Sequence, residues 1–230
     1  MSSLANHNGI EAAPGNRALA GWEIASVVSS AFMAEWILAA AAGRTKLIVA
    51  IPLTLAFTFI LVSHRLHRET LRDLGLRFDN FLRALKLLLA PMLIVAIISL
   101  AIGLASGTKP DFLRWHAERV LPWQLAIGFA WGLVQEYVLQ GFFNRRAQII
   151  WGPGPLSILV TAIIFAALHF PNPFLMLVTF VGGLLWAFIY QRAPNLLALA
   201  VSHAVMTWVL VSTLPPSALN HLRIGFKYFA

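Results

Sequence analysis

Three side chains able to move protons sit in stretches that are otherwise apolar. Glu136 lies in QEYVLQGFFNRR (Gln135–Arg146), His169 ends FAALH, and His203 opens HAVMT. Carboxylates and imidazoles are the usual general acids and bases near neutral pH. An ionisable group inside an apolar span costs about 2.5 kcal/mol or more, which makes each of the three a functional candidate. Glu136 has glutamines beside it, Gln135 next in sequence and Gln140 four residues on. An amide hydrogen-bonds but takes no proton from water, so Gln135 is no general base. Glu35, in SSAFMAEWILAA, has no motif around it and is expected to pair with a polar group of another helix. With no cysteine in the chain, thiol nucleophiles, thiolate metal sites and disulfides are excluded.

The elements carrying these residues read as membrane helices. Of the 230 residues 59% are hydrophobic and 11% charged, whereas a soluble domain carries about 25% charge. A bilayer core of about 30 Å needs about 20 apolar residues in helix. On that ruler the chain divides into about seven spans, near 22–42, 46–63, 81–105, 122–143, 155–170, 173–190 and 195–213. The fold class is therefore an all-α, polytopic transmembrane helix bundle. Phe170-Pro171-Asn172-Pro173 breaks the fifth span from the sixth and makes them a tight hairpin. The charged segment 64–80 reads as a solvated basic connector or interfacial loop. The remaining divisions are a polar segment 1–21, spans and basic loop over 22–120, a helical core over 121–214 and a tail over 215–230. The opening residues lack the basic and apolar regions of a signal peptide, so the first helix is expected to stay as an anchor.

Net charge is +8. The basic residues cluster at span ends, where anionic headgroups explain them, and no basic-aromatic stripe suits nucleic acid. With the N-terminus inside, ten Lys and Arg fall on the inner side and seven outside, an orientation bias toward N-in. At 1.5 Å per residue, Glu136 falls roughly 22 Å below the outer start of its helix, and His169 and His203 roughly 21 and 12 Å above their inner starts. All three then approach one layer near the midplane.

Gln135-Glu136 with Gln140 and Gly141, then Phe165 to His169, then His203 to Thr207, follow each other on separate helices. This order and spacing resemble the CPBP intramembrane proteases, which include the CAAX prenyl endoproteases and the Abi-like bacteriocin-processing and immunity proteins. The family pattern is Glu-Glu with an arginine four residues after the second, Phe-x-x-x-His, and a His with an Asn four residues later. The resemblance covers roughly Leu121 to Leu214. Three positions depart from it: Gln135 stands for the first glutamate, Gln140 for the arginine and Thr207 for the asparagine.

The resemblance implies an endopeptidase that cleaves a membrane-anchored protein or peptide, in the cell membrane of a bacterium, with lipid as surroundings and no cofactor. In it a glutamate and the first histidine activate water, and the second histidine belongs to an oxyanion hole. Carried onto this chain, Glu136 and His169 activate the water and His203 donates to the oxyanion. Gln135, Gln140, Thr207 and Asn172 have supporting or oxyanion roles; Asn172 also suits an Asx-type turn before Pro173. Losing the arginine leaves Glu136 without a counter-charge, which favours a base, and the two glutamines are expected to position it. Phe165 is expected to pack the helix interface. Three alternatives stand beside this reading: a catalytically silent scaffold or immunity protein, a proton-coupled transporter, and a zinc hydrolase holding its metal with Glu136, His169 and His203.

Overall fold

Helix boundaries follow from proline, glycine and asparagine at the breaks. In the computed structural model, which describes residues 14–41, 46–115, 118–119 and 122–229, Asn172 and Asn195 cap the helices that follow them. Their side-chain oxygens accept from Leu175 N at 3.1 Å and Ala198 N at 2.9 Å. Gly152 and Gly154 take positive φ before Pro155 starts a new helix. Among the described residues the bundle consists of seven helices: α1 (14–41), α2 (Lys46–Leu66), α3 (Phe81–Ala105), α4 (122–151), α5 (Pro155–Ala167), α6 (Pro173–Arg192) and α7 (Leu196–Thr213). Two of them contain π-helical turns, Met33–Leu38 in α1 and Tyr137–Asn144 in α4. The first thirteen residues of the polar segment expected over 1–21 lie outside the described residues, and the rest of it is already helical.

The chain is an all-α integral membrane protein. Among the described residues four helices are long and apolar enough to cross a bilayer: 16–41 of α1, α3, α6 and α7. Residues 50–66 of α2 and all of α5 are shorter apolar helices. α4 misses this criterion although it is 30 residues long, because Gln124, Gln135, Glu136, Gln140 and Asn144 lower its hydropathy. The helix with the most polar side chains within its apolar run is thus also the one bearing Glu136.

α5 packs on α6, α7 lies between α3 and α4, and α1 lies against α2 and the second half of α4. The core where these meet includes Leu139, Phe142, Phe143, Tyr190, Leu196 and Leu199, all buried. Outward-facing Ile51, Leu55, Leu93 and Ile97 are exposed, as befits side chains that face lipid tails. Close helix approach relies on small residues. A Cβ at Gly103 would lie 2.0 Å from the Thr213 carbonyl oxygen, and backbone cannot step aside as a side chain can. Gly103→Ala is accordingly expected to cost about 1–3 kcal/mol by forcing α3 off α7. Thermal unfolding in detergent measures this, and an unchanged midpoint would contradict so close a crossing.

The 67–80 connector keeps Arg68, Arg72, Asp73 and Asp79 exposed, as its charge suggests, but it is also docked on the bundle. Leu74 is buried, Tyr190 Oη donates to Leu74 O at 3.0 Å, and Leu196 N donates to Gly75 O at 2.8 Å. Asn195 Nδ2 donates to Arg77 O at 2.6 Å and to Asn80 Oδ1 at 2.7 Å. Backbone groups of the loop and of the α6–α7 turn satisfy each other, which explains why a polar segment docks. At the opposite end of α7, Arg114 donates to the carbonyls of Val211 and Leu214, placing a cation where helix carbonyls point outward. Arg114–Trp115 pairs antiparallel with Glu118–Arg119. The tail expected over 215–230 is folded through 229: a short helix α8 (Pro216–Leu219) and two 3-10 turns return it to the bundle.

Candidate active site

α4 carries Glu136 inward at the last residue before its π-helical stretch. Such stretches occur frequently at functional sites. The Glu136 side chain is 0% exposed, and its Oε1 meets Nδ1 of His203, on the neighbouring α7, at 2.9 Å. Oε2 is buried with no hydrogen-bond partner among the described residues. An ionised carboxylate only accepts, so His203 Nδ1 carries a proton and donates it to Glu136. Trp186 of α6 stacks on His203, the ring centroids 4.6 Å apart and 9° from parallel, and its indole N–H donates to Ser202 Oγ at 3.1 Å. The imidazole is therefore fixed on one side by charge and on one face by an aromatic plane.

His169 lies in the turn after α5, half-buried, with Nδ1 2.8 Å from Phe165 O. A carbonyl only accepts, so Nδ1 is the protonated nitrogen and Nε2 keeps a lone pair. Phe165 touches both histidines edge-on, with centroids 4.9 Å from His169 and 6.1 Å from His203. The interface role expected for Phe165 thus includes bridging the two imidazoles.

The supporting residues fall differently from expectation. The π-turn rotates Gln140 relative to an α-helical turn, and its Oε1 accepts from Asn144 Nδ2 at 2.8 Å instead of meeting Glu136. Asn144 Oδ1 accepts in turn from Gln148 and from Gln191, at 3.0 and 2.9 Å. Gln140 therefore belongs to a buried amide network linking α4 to α6. Gln135 is half-buried and makes no side-chain hydrogen bond among the described residues, so neither glutamine touches the carboxylate it was expected to position. Thr207 is half-buried and likewise shows no side-chain partner among them. Asn172 spends its oxygen on the α6 cap and its amide on Leu219 O and Arg223 O, leaving no free donor for an oxyanion. Glu35 finds its partner outside the helices, Lys227 Nζ at 3.8 Å. Among the described residues no three His, Asp or Glu side chains converge as metal ligands.

Residues 87–209 match the type II CAAX prenyl endopeptidase Rce1-like family. The chain belongs to this family. No curated protein and no solved structure matches it. The Rce1-like match runs from α3 into α7 and includes Glu136, His169 and His203, and it supports a membrane protease activity in general terms. α1, α2 and the segment after α7 lie outside it.

A second polar cluster joins those outer elements to the Rce1-like core. Arg146 of α4, also 0% exposed, has Nε 2.7 Å from Glu23 Oε2 of α1 and NH2 2.9 Å from Glu69 Oε2. Ser63 Oγ donates to Glu23 Oε1 at 2.6 Å, and Arg145 Nε meets Glu69 Oε1 at 2.5 Å. His64 Nδ1 lies 2.6 Å from Glu69 Oε2. Burial pushes the Glu69 carboxyl up, but hydrogen bonds from His64 and Arg146, with the charges of Arg145 and Arg146, outweigh it and hold it well below the usual carboxylate range. From sequence Arg145 and Arg146 are among the ten basic residues counted on the inner side, and Glu23 receives no role. Neither contact is local, so no spacing pattern announced the cluster.

Proposed function

We propose that this chain is an intramembrane endopeptidase that hydrolyses a peptide bond of a membrane-anchored protein or peptide, acting from the cell membrane of a bacterium with its N-terminus inside. Water, oriented by His169 Nε2, attacks the scissile carbonyl carbon as Glu136 takes one of its protons. His203 Nε2–H donates to the oxyanion that forms, and collapse breaks the C–N bond with the proton passing to the leaving amine. The observation that carries this reading is the buried Glu136 carboxylate, with one oxygen on His203 and the other unpartnered. Division of labour between the histidines follows from their partners. His169 faces a carbonyl and keeps a lone pair, whereas His203 in this reading is a donor at both nitrogens, Nδ1–H to the carboxylate and Nε2–H to the oxyanion. An oxyanion donor of this kind contributes about 2.7–4 kcal/mol.

Reconstitution in liposomes with candidate membrane peptides, followed by mass spectrometry of products, tests the reaction. New termini within or beside the anchored segment support it. A silent scaffold is the competing reading, favoured by the glutamine at 135, and retention of peptide without any cleavage would point to it.

The chemistry proposed runs through side chains alone. Turnover is expected to survive exhaustive chelation with less than about a twofold change, since Glu136 supplies the base and His169 orients the water. Loss of turnover on chelation, with recovery on adding zinc, would transfer the three side chains to a metal-ligand role.

A further inference from the structure

The segment after α7 ties itself to the turn that carries His169. That turn is closed by Asn172 N–H donating to His169 O at 3.1 Å. Asn172 Nδ2, buried, then reaches across to Leu219 O at 3.1 Å and Arg223 O at 3.2 Å. Gly225 N donates to Phe170 O at 2.9 Å, so both sides of the turn are held by the same returning chain. Gly225 has φ +56°, and a Cβ there would lie 2.6 Å from the Glu35 carbonyl oxygen, which wedges this chain between α1 and the turn. Trp36 of α1 closes the arrangement by stacking on Phe170, with centroids 5.4 Å apart. Asn220, His221 and Leu222 all adopt left-handed φ, a conformation that non-glycine residues hold only where surroundings over-determine it.

We infer that residues 215–229 are an internal strap that sets the position of His169, with Asn172 and Gly225 as its positioning residues. The functional weight of this inference rests on the reading of His169 as part of the active site. The strap lies outside residues 87–209, beyond the part of the chain that matches the family. Geometry explains the need for it. His169 is not in a helix but in a turn just beyond α5, where a few ångströms of drift would take Nε2 away from the Glu136–His203 pair.

Asn172→Asp separates the two jobs of this residue. The carboxylate still accepts from Leu175 N–H and still suits a helix start, but it cannot donate to Leu219 O and Arg223 O. The full-length protein, labelled with ¹⁵N-histidine in nanodiscs, is compared with Asn172→Asp and Gly225→Ala by imidazole NMR, with His169→Gln assigning the signal. Both variants are expected to move the His169 signal and leave that of His203 in place, with helix content unchanged by circular dichroism. With a farnesylated CAAX peptide as probe, kcat is expected to fall at least tenfold and KM to change less than threefold. His169 signals superimposing on wild type in both variants would overturn the inference. Signals that move while turnover holds would sustain the strap and remove His169 from the mechanism.

Discussion

Glu136→Gln is expected to lower turnover by about 10²–10⁴-fold, the range a positioned general base contributes. The amide is close in shape to the carboxylate, and its oxygen can still accept from His203 Nδ1, so the 2.9 Å contact has a neutral replacement. What disappears is proton acceptance together with the negative charge that stabilises a protonated His203. Because both are needed mainly in the transition state, kcat should carry the loss and KM should change little. Gln135→Ala, at a half-buried position without a side-chain hydrogen bond among the described residues, is expected to stay within about threefold of wild type. Turnover in Glu136→Gln equal to wild type would sink the mechanism. Absence of turnover in both proteins with every membrane peptide tried would favour the silent scaffold.

Arg146→Met is expected to destabilise the fold by about 3–5 kcal/mol, because it takes the guanidinium from two buried carboxylates, leaving Glu23 without an arginine and Glu69 with Arg145 and His64 only. The arginine is almost isosteric with a longer hydrophobic chain, so the loss is one of charge compensation more than of packing. Replacing the whole set, Glu23→Gln with Glu69→Gln and Arg146→Met, should recover much of it, since no buried carboxylate then lacks its arginine and Arg145, 30% exposed, keeps access to water. Unfolding midpoints in detergent for the single and the triple variant measure the difference, and equal losses in both would contradict the ionic origin. The same cluster predicts a pH dependence. Glu69 is held below its unfolded value of about 4.3, so its contribution is full above that value and is lost as pH falls through the depressed folded value. Wild type should therefore lose stability on acidification below about pH 4 more steeply than Glu69→Gln does.

The membrane character, the all-helical class and the helix breaks at Asn172-Pro173 and Asn195 were determined by sequence alone. Each depends on local composition or on residues within one turn of each other. Glu136, His169 and His203 also stood out locally, as ionisable side chains within apolar runs. Their mutual arrangement was not local. The contact of Glu136 with His203 joins positions 67 residues apart, and the stacking of Trp186 on His203 depends on how α6 crosses α7. Spacing misled at Gln140, where a four-residue interval suggested a shared α-helical face but a π-turn carried the amide to Asn144. Charge misled at Arg146 and, within 64–80, at Glu69. A polar residue reads as solvated or topogenic until the structure shows that partners from distant parts of the chain, here α1 and the connector after α2, have replaced water. Local chemistry selects the helices and marks which side chains are costly to bury; only tertiary packing decides which of them compensate one another, because that compensation acts through space over a few ångströms and leaves no period in the sequence.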